Sequence, residues 1–99
     1  SHSVLAHALS IAVPTMWRLV LRPVCTADWK LVSELEQVAG ILCNVRNIHW
    51  TCITRQGPYV FYVDSLCLPV EIIQKDFEAI IDEHFLSFLV VRADSNLGC

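Results

Sequence analysis

Two residues fifteen positions apart, His49 and Asp64, are of types that can do acid–base chemistry together. They sit at the ends of a predicted hairpin, with His49–Thr54 as one arm and Tyr59–Asp64 as the other, joined through Arg55-Gln56-Gly57-Pro58. A four-residue loop over 55–58 sets Thr54 against Tyr59 and, stepping outward, His49 against Asp64. A two-residue turn at Gln56-Gly57 gives the same pairing, whereas a three-residue loop with a bulge breaks it. Directly opposed residues share a sheet face with Cβ atoms about 4.5–5.5 Å apart, within hydrogen-bonding reach for an imidazole and a carboxylate. Such a carboxylate fixes the tautomer and orientation of the ring and stabilises the imidazolium that forms when the second nitrogen takes a proton. A thiol beside that second nitrogen loses its proton more easily and becomes a nucleophile. The competing structural reading is a favourable cross-strand pair at the mouth of a hairpin, with Asp64 capping a turn through Ser65.

The remaining chemistry-bearing residues are weaker candidates. The five cysteines are Cys25, Cys43, Cys52, Cys67 and Cys99, an odd count with no CxxC spacing. Neither a disulfide framework nor a zinc site follows from that pattern. Cys25 precedes Thr26 at a predicted helix start, where a thiol is favoured as an anion. Cys43 and Cys52 fall in predicted strands and read as small buried hydrophobes. His2 and His7 are five apart, which is not the i, i+4 spacing of a metal-binding helix face. Asp76, Glu78, Asp82 and Glu83 read as the solvated side of a helix. No cofactor and no metal is expected.

The elements that would hold the pair follow from periodicity. Val4, Leu5, Ala8, Leu9 and Ala12 recur at helical spacing, so 3–12 is a predicted helix ended by Pro14. Residues 16–21 read as a strand. Thr26 is a plausible N-cap for a helix over 27–38, with Asp28 suiting its first turn. Gly40 then releases the chain into a strand over 41–45. Beyond the hairpin, Pro69 suits the first position of a helix over 70–84, striped by Ile73, Phe77, Ile80 and Ile81. A strand over 85–91 and a frayed tail over 94–99 complete the chain. Helices flanking a central antiparallel meander make the fold class α+β.

Composition narrows the function classes. Apolar residues make up 55% of the 99 and charged residues 17%, which argues against disorder and suggests apolar surface covered by another segment or partner. Seven Lys+Arg against ten Asp+Glu, with no basic stripe, give nucleic-acid binding no support. The apolar N-terminal run is too short to span a bilayer and lacks the basic start of a signal peptide, so neither a membrane partner nor secretion is expected. Free thiols fit a cytoplasmic or nuclear protein. With Ser rather than Met at position 1, the sequence reads as a fragment or excised domain.

The stretches Ile41-Leu42-Cys43-Asn44, His49-Trp50 and Phe61-Tyr62-Val63-Asp64-Ser65-Leu66 together resemble the Josephin domain of ataxin-type and small Josephin deubiquitinases. The resemblance extends in order and length to the segment 4–21, to the helix near Pro69 and to the closing strand Phe88–Val91, so residues 1–99 are similar to the second half of such a domain. It implies a papain-like cysteine-protease fold. His49 then matches the catalytic histidine, Asp64 the third member of the triad, and Trp50 the tryptophan after the histidine. It also implies thiol-dependent cleavage of ubiquitin conjugates, with ubiquitin or ubiquitinated proteins as partners. The family's nucleophilic cysteine at the head of a helix, the glutamine before it and the helical arm have no counterpart in residues 1–99. Two further readings remain: a non-catalytic ubiquitin- or protein-binding module, and a fragment of a SUMO-type protease, whose nucleophile follows the acid and is faintly echoed in Asn96-Leu97-Gly98-Cys99.

Overall fold

Strand-forming residues dominate the chain between Val38 and Val63, and they build most of one sheet. The computed structural model describes residues 17–46, 48–83 and 86–97. In chain order these form β1 (Trp17–Val20), a 3-10 turn (Thr26–Asp28), α1 (Trp29–Glu34), β2 (Val38–Val45) and β3 (His49–Gln56). There follow β4 (Tyr59–Val63), β5 (Val70–Ile72), α2 (Gln74–Glu83) and β6 (Leu86–Arg92). The six strands make one antiparallel sheet in the order β1-β6-β2-β3-β4-β5. Two helices beside an antiparallel sheet are an α+β arrangement. The helix expected over 3–12 lies outside the described residues.

Period-2 alternation sorts the sheet into two faces. Val20, Ile41, Cys43, Ile53, Val60, Leu89 and Val91 point to one face and pack with Val32 of α1 and with Phe77 and Ile81 of α2. Trp29 of α1 meets the ring of Phe77 with centroids 5.5 Å apart. Of the predicted helical stripe, Phe77 and Ile81 are buried, Ile80 is partly so, and Ile73 is exposed. On the opposite face Leu42, Asn44 and Val90 are buried, and Trp50 stacks near-parallel on Phe88 at 6.5 Å. Burial on both faces explains why central β2 reads as a continuous apolar run.

Several boundaries depart from expectation, each for a local physical reason. Strand β2 begins at Val38, so the first helix is shorter than 27–38 and Gly40 lies inside a strand. A Cβ at position 40 would come within 2.0 Å of the Ile53 carbonyl oxygen, so glycine is required by close approach rather than by chain release. Residues Val70–Ile72 pair with β4 instead of opening a helix. Helix α2 starts after Ile73, whose N–H donates to Asp76 Oδ2 at 2.9 Å, an N-terminal cap from within the first turn. The expected frayed tail is anchored as far as Leu97. Arg18 Nη2 donates to the carbonyls of Ser95 and Leu97, and Leu97 packs on the core.

Candidate functional site

The β3–β4 turn sets the geometry of the site. Gln56 pairs with Tyr59 and Cys52 with Val63, so the loop is the two residues Gly57-Pro58. Gly57 takes φ 59°, and proline holds φ near −65°, so a type II′ turn with glycine first is the primed turn that fits. The expected register is therefore wrong by two positions. Extending the observed ladder by one pair sets Asp64 beside Thr51, and His49 is its diagonal neighbour rather than its direct partner.

A slip of two residues preserves the face of every side chain, where a slip of one would have reversed it. His49 and Asp64 thus stay on the helix-covered face, and diagonal Cβ atoms about 7–8 Å apart remain within reach of long side chains. His49 Nε2 lies 2.9 Å from Asp64 Oδ1. Since the carboxylate accepts, Nε2 carries the proton and Nδ1 is the nitrogen with a lone pair for a further proton. The same Oδ1 accepts the N–H of Leu66 at 2.9 Å, and the Cys67 N–H closes a turn onto the Asp64 carbonyl at 3.0 Å. The Leu66 amide first, and then the imidazole, hold the Asp64 carboxyl below its usual range. The pair is accessible, with 27% of the His49 side chain and 22% of the Asp64 side chain exposed.

His49 enters β3 from a tight turn. The Ile48 N–H donates to the Val45 carbonyl at 3.1 Å, and Arg46 takes φ 55°. That left-handed conformation costs a non-glycine residue about 1–2 kcal/mol. The turn forms one wall of an open groove of about 480 Å³ lined by Val45, Arg46, Ile48, His49 and Glu83. Ile48 is 85% exposed, and Leu66 and Leu68 beyond Asp64 are similarly bare. Apolar side chains thus flank the imidazole–carboxylate pair in sequence on both sides.

The cysteines divide sharply. Burial pushes the Cys43 thiol up to about 12 and also raises Cys52, so neither is a competent nucleophile near neutrality. Thr51 Oγ1, on the same face, makes no hydrogen bond of ordinary geometry, although the Cys43 thiol and the Tyr62 hydroxyl lie beside it. Cys25 and Cys67 are free and exposed. Cys25, rather than Thr26, caps the 3-10 turn, and its N–H donates to Asp28 Oδ2 at 2.9 Å. Asp28 does more than favour a helix dipole: Arg22 grips both its oxygens, at 2.7 and 2.8 Å. Cys99, His2 and His7 lie outside the described residues. Among the described residues no cluster of three or more His, Cys, Asp or Glu is placed to hold a metal ion. Among them too, no helix is long and apolar enough to cross a membrane.

Glu83, read from the sequence as part of a solvated helix face, is exposed as expected and also lines the groove beside His49, a proximity that, like the Leu66 amide bond, was not foreseen. Helical periodicity does place Glu83 opposite the buried Phe77 and Ile81 stripe, but only the sheet's placement of α2 brings it to His49. Comparison with protein-family models, with curated proteins and with solved structures finds no match for this chain.

Proposed function

We propose that this chain supplies the acid–base histidine and its orienting acid to a thiol-dependent deubiquitinase with a papain-like fold of the Josephin type. The observation that carries the reading is the 2.9 Å contact between Asp64 Oδ1 and Nε2 of His49, a residue that lines an open groove. The His49 side chain is 27% exposed, and its second nitrogen is not engaged by Asp64. The sequence resemblance supports ubiquitin or ubiquitinated proteins as partners, and free thiols support a cytoplasmic or nuclear setting.

The chemistry assigns each group one role. His49 Nδ1 takes the proton of a cysteine thiol, and the thiolate attacks the carbonyl carbon of the isopeptide bond. Asp64 holds the imidazolium through Nε2–H while the tetrahedral intermediate forms. The imidazolium then gives its proton to the departing amine, leaving a thioester that water hydrolyses with His49 again acting as base. The thiol comes from a stretch outside residues 1–99, at the head of a helix, as the resemblance implies.

A second reading is a binding module without catalysis, favoured by the exposed Ile48, Leu66 and Leu68 beside the pair. Reaction of this chain, and of the longer gene product, with ubiquitin carrying a C-terminal electrophile separates the two. Labelling of the longer product alone is the result expected. Labelling of neither, with ubiquitin still bound, leaves the binding module. Labelling of this chain at Cys25, Cys67 or Cys99 overturns the assignment of the nucleophile.

A further inference from the structure

We propose that the backbone amide of Leu66 is a positioning group for the His49–Asp64 pair, holding the carboxylate on the imidazole by a bond that no side chain at position 66 supplies. The inference rests on the reading of His49 as the acid–base residue. Its starting point is that the sheet does not hold Asp64. The β3–β4 ladder ends at Cys52–Val63, one residue short. Because His49 is a diagonal neighbour, the contact also spans more than a direct pair would require. Something other than strand pairing must fix the carboxylate.

The 64–67 turn does so. Leu66 N–H and His49 Nε2–H converge on one oxygen, each at 2.9 Å, while Cys67 N–H ties down the Asp64 carbonyl at 3.0 Å. Rotating the carboxylate off the imidazole therefore breaks the amide bond as well. Both donors favour the ionised acid, the form that orients the ring. Among the described residues the Asp64 charge also acts on Tyr62, whose hydroxyl is raised by burial first and, to a smaller extent, by Cys43 and Asp64. The Leu66 side chain, 80% exposed, takes no part, which leaves it available for an apolar contact with a partner.

The test exchanges the Ser65–Leu66 amide for an ester, removing the N–H alone, with Leu66→Ala as the variant that keeps it. Carboxyl-carbon NMR reads the Asp64 titration and imidazole nitrogen NMR reads the His49 tautomer, in the full chain. The ester is expected to move the Asp64 midpoint upward and to reduce the share of the Nε2–H tautomer, while Leu66→Ala changes neither. In the unaltered chain the Leu66 amide proton is expected to shift with the ionisation of Asp64, a readout that survives if the ester fails to fold. An amide proton blind to Asp64, an ester without effect, or an alanine variant that reproduces the ester's effect overturns the proposal. Unchanged NMR signals with full ubiquitin-probe labelling of the longer product sink the Leu66 role alone. Shifted signals with no labelling sink the hydrolase reading alone.

Discussion

Two carboxylates of this chain accept charge-assisted hydrogen bonds of nearly equal length, and their settings are opposite. Asp28 is 4% exposed and is held by Nη1 and Nη2 of Arg22 and by the Cys25 amide. Asp64 is 22% exposed at its side chain and is held by the imidazole of the groove-lining His49 and by the Leu66 amide. At Asp28 the bonds tie the segment after β1 to the start of α1, and the partner is a guanidinium, which has no lone pair to take a proton. At Asp64 the imidazole keeps a second nitrogen in reserve. Distance alone does not distinguish the two settings; the proposed reading turns on the lone pair that an imidazole retains and a guanidinium lacks.

The comparison can be broken most severely at the histidine. In the longer polypeptide that the proposed function requires, His49→Ala is expected to slow ubiquitin-probe labelling by about 10²- to 10⁴-fold, the usual worth of a positioned acid–base group. The thermal midpoint is expected to stay near that of the parent. A large loss of stability with little loss of labelling would move His49 to the structural class. Asp28→Ala is expected to behave inversely. It removes two bonds to Arg22 and leaves the Cys25 N–H without its acceptor, for a loss of about 2–3 kcal/mol measured by urea unfolding.

Acid sharpens the contrast. Burial works to raise the Asp28 carboxyl, but the Arg22 hydrogen bond, the Cys25 amide and the Arg22 charge together hold it below its usual range. A depressed folded value contributes stability that is fully present above the unfolded value of about 3.9 and is lost as pH falls through the folded one. Urea midpoints measured below about pH 4 are therefore expected to fall less steeply in Asp28→Asn than in the parent. The smallest effect belongs to the Arg92–Asp94 pair, with side chains 43% and 70% exposed. Arg92→Ala is expected to change stability by no more than about 0.5 kcal/mol, as exposed ion pairs generally do.

The mixed fold class, the hairpin and the shared face of His49 and Asp64 were legible in the residues because alternation is a property of the strand itself. The register was not, since it depends on which two residues turn. Gly57 with Pro58 behind it selects a turn one position later than Gln56-Gly57, and the pairing shifts by two. Strand β5 was hidden because Pro69 followed by Val70-Glu71-Ile72 satisfies a helix start as well as an edge strand, and pairing with β4 decides between them. The anchored tail depends on Arg18 bonds spanning 77 and 79 residues, which no local pattern reports. The Leu66 amide was equally invisible, because every residue but proline carries that donor and only the turn aims it.

The central claim is that Asp64 dictates which nitrogen of His49 carries the proton. Nitrogen-15 NMR of the neutral imidazole in the parent chain and in Asp64→Ala measures this directly. The account predicts an Nε2–H tautomer in the parent, with Nδ1 bare, and a substantial loss of that preference in the variant. Predominant Nδ1–H in the parent, or an identical tautomer ratio in both proteins, would contradict it.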